Sequence, residues 1–165
     1  MNFKEILPSE LDVSHFDFWT DGLLLVAETE GKTNAMTIGW GGIGVMWGKP
    51  VLFTVVRPER FTHELLNHAD SYSVCALPAE HKDALKHCGS VCGRDRDKLS
   101  ECGLTVEKIA GAPVVSESSL AIICGKLSTT PFQPEQISDE VGKWYGSHGG
   151  YHTIFIGEIK KIVKK

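Results

Sequence analysis

Apolar residues in this chain recur with a period of two or in short unbroken runs, and seldom with the three-to-four spacing of a helix face. Segments 22–30, 33–40, 51–57, 71–77, 119–128 and 153–163 are rich in β-branched or alternating apolar residues and predict six strands. Helical spacing appears in three short stretches: 61–68, where Phe61, Leu65 and Leu66 share a side, 79–88, opened by Pro78, and 97–102. Only Gly31 and Lys32 separate the first two strands, so their connection is a hairpin. A parallel sheet needs a long crossover after each strand, so the sheet is mostly antiparallel. Six strands with small helices between them predict a closed or nearly closed β-barrel, because closure removes the edges that an open sheet must protect. Segment 129–150, which holds Pro131, Pro134, Trp144, Tyr145, Gly146, His148, Gly149 and Gly150, reads as a long irregular loop of the kind that carries function.

With 165 residues, 42% hydrophobic and 23% charged, the chain has enough apolar material to offset the entropy lost on folding, and one domain over residues 1–165 is expected. The longest apolar runs, 23–27 and 51–53, are too short to cross a bilayer, and residues 1–5 lack the apolar stretch of a signal peptide. No membrane partner is therefore expected, and the location expected is cytoplasmic. The net charge of -4 hides an asymmetry: the first 30 residues hold seven acids against Lys4, and the last eight hold four lysines against Glu158. Neither end offers the basic, aromatic-studded face that nucleic acid requires.

The five cysteines are an odd number without secretory features, which predicts free thiols, with Cys75 and Cys124 as small buried hydrophobes. Cys88 and Cys92, four apart and near His87 and Cys102, suggest a metal or redox site, but their spacing matches no zinc pattern. The seven histidines are scattered, and no metal is expected.

Gly39-Trp40-Gly41-Gly42-Ile43-Gly44 satisfies the letters of a dinucleotide-binding fingerprint, but a glycine and a proline, Gly48 and Pro50, stand where its helix should run. The glycines instead predict backbone passing close to something flat, with Trp40 and Trp47 beside it. Segment 57–62, Arg-Pro-Glu-Arg-Phe-Thr, places two guanidiniums and a hydroxyl at a helix start, the donors that a phosphate dianion needs. Its plain alternative is a cap at Thr62, with Arg57 and Arg60 solvated or paired to Glu59 and Glu64. Residues 90–98 again combine hydroxyl, glycine and cations, or else form a self-neutralised polar turn.

Four stretches in this order, 34–41, 56–62, 93–98 and 151–158, resemble the flavin-reductase-like family with the FMN-binding split barrel, especially its flavoredoxin branch, over roughly residues 20 to 163. The resemblance implies a mainly β protein with short helices, an antiparallel Greek-key split barrel that forms a homodimer and holds one FMN per chain. It implies that Asn34, Ala35, Met36 and Thr37 line the isoalloxazine edge with Trp40 near the ring. Arg57, Arg60 and Thr62 would hold the ribityl-phosphate arm, and Ser90, Arg94 and Lys98 would close on it. His152 corresponds to a family histidine near the ring and is the candidate catalytic residue, seating a nicotinamide or tuning the flavin. The chain has no aromatic residue after Phe155, so any cover for the ring must come from Trp144, Tyr145 or a partner subunit. Gly149 and Gly150, beside His148 and His152, are candidates for a mobile flap.

The activity so implied is hydride transfer from NADH or NADPH to flavin, with electrons passing to free flavin, ferric complexes or an oxygenase. The alternative is a flavoredoxin-like carrier that exchanges electrons with a protein donor and turns over little nicotinamide. A module without flavin, or a cysteine-based metal site, is the third reading. A flavin carries the redox chemistry itself, which agrees with the absence of a nucleophile-base-acid pattern in the chain.

Overall fold

The computed structural model describes residues 2–11, 17–146 and 150–165, so the expectations for Asp12, His15, His148 and Gly149 lie outside the described residues. Strands β1 (Lys4–Ile6), β2 (Leu23–Thr29), β3 (Lys32–Ile38), β4 (Gly41–Met46), β5 (Lys49–Val56), β6 (Ser71–Ala76), β9 (Leu120–Pro131) and β10 (Thr153–Lys164) build one sheet, and β7 (Val106–Ile109) and β8 (Ala112–Val115) a separate hairpin. The helices are α1 (Asp17–Thr20), α2 (Phe61–His68), α3 (Lys82–Ser90), α4 (Lys98–Glu101) and α5 (Asp139–Tyr145).

All pairings are antiparallel, and the main sheet runs β3-β2-β6-β9-β10-β5-β4, with β1 added on β10. The strands at its two ends, β3 and β4, are consecutive in the chain and joined by Gly39 and Trp40 alone. The three steps from Ile38 to Gly41 span at most about 10 Å, so the sheet must curl until its ends come near each other. Among the described residues no ladder joins β3 to β4, and the sheet is not closed. The expected barrel is thus split along this seam.

The curl is made in the two longest strands. β9 and β10 shift register between Ile156 and Gly157 and again between Ile159 and Lys161, and each irregularity bends the ladder. A Cβ at Gly157 would lie 2.6 Å from the Tyr72 hydroxyl and 2.8 Å from the Cys124 Cβ, so only glycine fits this inner position.

Both faces of β2 are covered, which explains its unbroken apolar run. Leu23, Leu25 and Ala27 join Leu52, Tyr72 and Phe155 inside the barrel, where Leu65 and Leu66 of α2 also sit. Leu24 and Val26 face the other way, against Leu85 of α3, Leu99 of α4 and Val114 of β8. Each such fully buried side chain contributes about 1.5–3 kcal/mol. Cys75 and Cys124 are buried as expected and all five cysteines are free. The opposite charges of the two chain ends meet where β1 pairs with β10, with Glu5 2.9 Å from Lys161.

Three expectations need correction. β1, β4, β7 and β8 add to the six strands foreseen. The first hairpin turns at Glu30 and Gly31, since Lys32 already belongs to β3. Segment 129–150 is not one irregular loop: β9 continues to Pro131, a 3-10 turn covers Pro134–Gln136, and α5 follows. The Ser138 side chain caps α5 by accepting from the Val141 amide, and Gly146, at φ 64°, ends it. No helix of the described residues is long and apolar enough to cross a membrane.

Candidate functional site

Two cavities open side by side near the seam and share Arg60. The smaller, about 120 Å³, collects polar groups from β3, the start of α2, the end of α3 and the start of α4, among them Asn34, Thr62, Ser90 and Lys98. Thr62 is wholly buried, and its hydroxyl accepts from the Asn34 amide at 2.8 Å, which leaves the hydroxyl proton to donate. The cap expected at Thr62 is corrected: Arg60 holds the N-cap position in extended conformation, without a side-chain cap bond.

Carbonyls at the C-terminal end of α3 organise the two cations of this cavity. Arg60 donates to Gly89 O at 2.8 Å and Lys98 to Cys88 O at 3.1 Å, the end of a helix where positive charge is favoured. Lys98 is only 3% exposed, and burial pulls its ammonium below the ordinary lysine range, with the Arg60 charge pressing the same way. Two confined cations that repel each other are a setting that an anion relieves. Glu59 also lines the cavity, but its carboxylate is engaged by Arg57 at 3.4 Å.

The second cavity, about 240 Å³, is walled by Met36 and Thr37 of β3, by Trp40 on the seam, by Arg57 and by Trp144 and His152. Ring centroids lie 4.7 Å apart for Trp40 and Trp144 and 4.9 Å apart for Trp40 and His152. The Arg57 guanidinium stacks 5.1 Å from Trp144 and 5.7 Å from Tyr145. His152 is held in place by two contacts: its carbonyl accepts from the Phe132 amide and its Nδ1 lies 2.9 Å from the Tyr145 hydroxyl. Burial, and then the Arg57 charge, push the imidazole down to about 4, so it is uncharged at pH 7. A flat-walled aromatic slot beside a cationic pocket has the polarity pattern of a planar ring carrying a phosphate arm.

The structure thus brings Asn34, Arg60, Thr62, Ser90 and Lys98 to one cavity and Met36, Thr37, Trp40, Arg57, Arg60 and His152 to the other. Arg57 lies in the aromatic cavity and not among the phosphate-type donors. Ala35 lines neither, being buried with Leu24 and Val26. Arg94 lines a neighbouring cavity of about 610 Å³, pairs with Glu64 at 3.2 Å and stacks on Phe61. Segment 90–98 is not neutralised from within: Arg94 and Arg96 pair with Glu64 and Glu101 outside it, Asp97 caps α4, and Lys98 is buried.

The glycine run is strand, not the start of a nucleotide-binding helix. The flat objects it approaches are the protein's own rings: a Cβ at Gly41 would meet Trp19, and one at Gly42 would lie 2.5 Å from Phe53 Cζ. Sequence reasoning gave no site role to Val55 or Ile38, which also line the aromatic cavity. Gly93 carried a signal in being glycine, since any Cβ there would collide with the Asn34 carboxamide. Among the described residues, no cluster of three or more His, Cys, Asp or Glu side chains could hold a metal.

Comparison with known proteins agrees with this architecture. A family model described as the flavin reductase like domain matches residues 19–164. An uncharacterized protein of Aeropyrum pernix is 24% identical over 85% of this chain and 48% of its own length, and uncharacterized protein YddH of Escherichia coli is 30% identical over 66% and 58%. The chain therefore spans about half the length of the curated relatives it matches. Among solved structures, flavoredoxin from Methanosarcina acetivorans superposes with a TM-score of 0.69 at 24% identity, covering 87% of this chain and 68% of that one. The FMN-binding protein from Thermus thermophilus gives 0.68 at 22%, covering 87% and 71%. With a family model spanning nearly its whole length and a split barrel shared with these structures, the chain belongs to the flavin reductase like domain family.

Proposed function

We propose that this protein binds FMN across the two cavities and uses it as an NAD(P)H-dependent flavin reductase. One observation carries the reading: a buried cationic pocket and an aromatic slot joined at Arg60, in the right order to take a phosphate and a planar ring on one ligand. When bound, the flavin supplies the hydride and electron chemistry. Lys98, Arg60 and the Thr62 hydroxyl hold the phosphate, with charge-assisted hydrogen bonds from the first two. Met36, Thr37 and Trp40 set the plane of the ring, and His152 borders it as a polar group without charge. Names of similar structures support this reading, since they include FMN-binding proteins and the flavin reductase PheA2.

A homodimer is part of the same reading. β4 and its turn expose Val45 at 77% and Trp47 at 63%, with Ile43 and Met46 also outward, on a strand whose far edge is unpaired among the described residues. An apolar edge of this kind needs a partner.

The test is spectroscopic and kinetic. Protein purified from cells, or loaded by titration with FMN, is expected to show the two-banded yellow flavin spectrum and to oxidise NADH or NADPH with an added acceptor. A colourless protein that leaves FMN fluorescence unquenched refutes the reading. The carrier alternative has one observation in its favour: Trp144 lies against Trp40 and partly screens the slot from a second planar substrate. Bound FMN without nicotinamide turnover, but with rapid reduction by a protein donor, would establish it.

A further inference from the structure

Tyr145 is the last residue of α5 and is only 6% exposed, and the partner of its hydroxyl among the described residues is His152 Nδ1 at 2.9 Å. A buried phenol has one proton to place, and stranding it without an acceptor is costly. With one partner available, the O–H donates and Nδ1 accepts. The groups around the imidazole agree with this polarity. Arg57 lines the same cavity and would donate to a bare Nε2 lone pair within reach, yet it donates to Glu59 and otherwise stacks on Trp144 and Tyr145. Glu59 is occupied by that pair, and Tyr151 packs on the Tyr145 ring with centroids 4.5 Å apart.

We propose that Tyr145 is a positioning residue that holds His152 as its Nε2–H tautomer, so that the aromatic cavity is offered an N–H donor for an acceptor atom on the edge of a planar ligand. The tautomer half of this inference stands on the protein alone, whereas the ligand half rests on the flavin-binding reading. A donor without charge fixes a carbonyl or ring nitrogen in register without adding a cation beside Arg57. The segment that looked like an irregular loop thereby gains a defined purpose, since α5 delivers Trp144 to the wall of the cavity and Tyr145 to the back of its histidine.

Long-range proton-nitrogen NMR of histidine-labelled, FMN-free protein at pH 7 tests the first half. The expected spectrum shows His152 protonated at Nε2, with the Tyr145 hydroxyl proton correlated to Nδ1 across the hydrogen bond. Tyr145→Phe is expected to give a mixture of tautomers without loss of the fold. Protonation at Nδ1 in the wild type, or an unchanged tautomer in a folded Tyr145→Phe variant, overturns the proposal. If that variant does not fold, the wild-type correlation decides alone. In FMN-loaded protein, Tyr145→Phe and His152→Gln are each expected to shift the flavin midpoint potential, and the double variant to shift it no further than His152→Gln. Full additivity overturns the link between them. Failure to bind FMN with the Nε2–H tautomer intact sinks the ligand half only, while FMN binding with the other tautomer sinks Tyr145's role and leaves the functional reading standing.

Discussion

At the scale of single residues, the charge states of Lys98 and His152 define what the two cavities can hold. Lys98 presents its ammonium to the cationic cavity from an almost fully buried position, so its loss cannot be made good by water. Lys98→Ala is expected to weaken FMN binding by about 1.5–3 kcal/mol, or roughly ten- to a hundredfold. Thr62→Ala removes a neutral contact and should cost about 1 kcal/mol, near fivefold. Calorimetric titration of FMN into each variant checks both, and unchanged affinity in the two together would place the phosphate elsewhere. His152 has a distinct signature in the apoprotein. Its pKa falls from 6.5 in the unfolded chain to about 4 in the fold. Between these values the unfolded state takes up a proton that the folded state refuses, so stability falls as pH drops through that window and levels off below it. His152→Gln should flatten part of that slope in melts taken across the pH series. His63, lowered by burial against the pull of Glu59, keeps its own share.

The elements differ in how plainly the chain announced them. α2 was legible to the residue, Phe61–His68, because Phe61, Leu65 and Leu66 recur at helical spacing, and Leu65 and Leu66 plug the barrel. β4 was not, since three of its six residues are glycine and its apolar residues Ile43, Val45 and Met46 are exposed, which leaves no contrast between inside and outside. The β7–β8 hairpin hid for another reason: its turn, Ala110-Gly111, sets a non-glycine at φ 50° and lacks the Asn or Asp that usually marks such turns. α5 was masked by the prolines and glycines that flank it. The candidate site followed the same logic. Residue types that suit a phosphate could be read directly, but the placement of Arg57 on Trp144 could not, because it depends on a helix the pattern did not reveal. Capping gives α5 a test of its own. Ser138→Ala removes its N-cap, worth about 1 kcal/mol, and should loosen Trp144 enough to red-shift tryptophan emission and weaken FMN binding, while the melting temperature falls by no more than about 2–4 °C.

The whole molecule depends on a sheet bent tightly enough to bring its ends together. Gly157→Ala places a methyl against Tyr72 and Cys124 at the bend, and is expected to destabilise the fold by about 1–3 kcal/mol, measured by urea unfolding. The same curvature leaves the β4 edge facing outward with its apolar row. Val45→Asp with Trp47→Glu should convert a dimer into a monomer in sedimentation velocity, and a wild type that sediments as a monomer would remove the dimer from the proposal.

Trp40 is both a wall of the aromatic cavity and half of the two-residue bridge between the first and last strands of the sheet. A planar guest wedged against it would act as a rivet across a gap that has no ladder of its own. Losing that guest would then be felt as breathing of both rims, so amide exchange in 32–38 and 41–46 should quicken together on stripping the protein and slow together on refilling it.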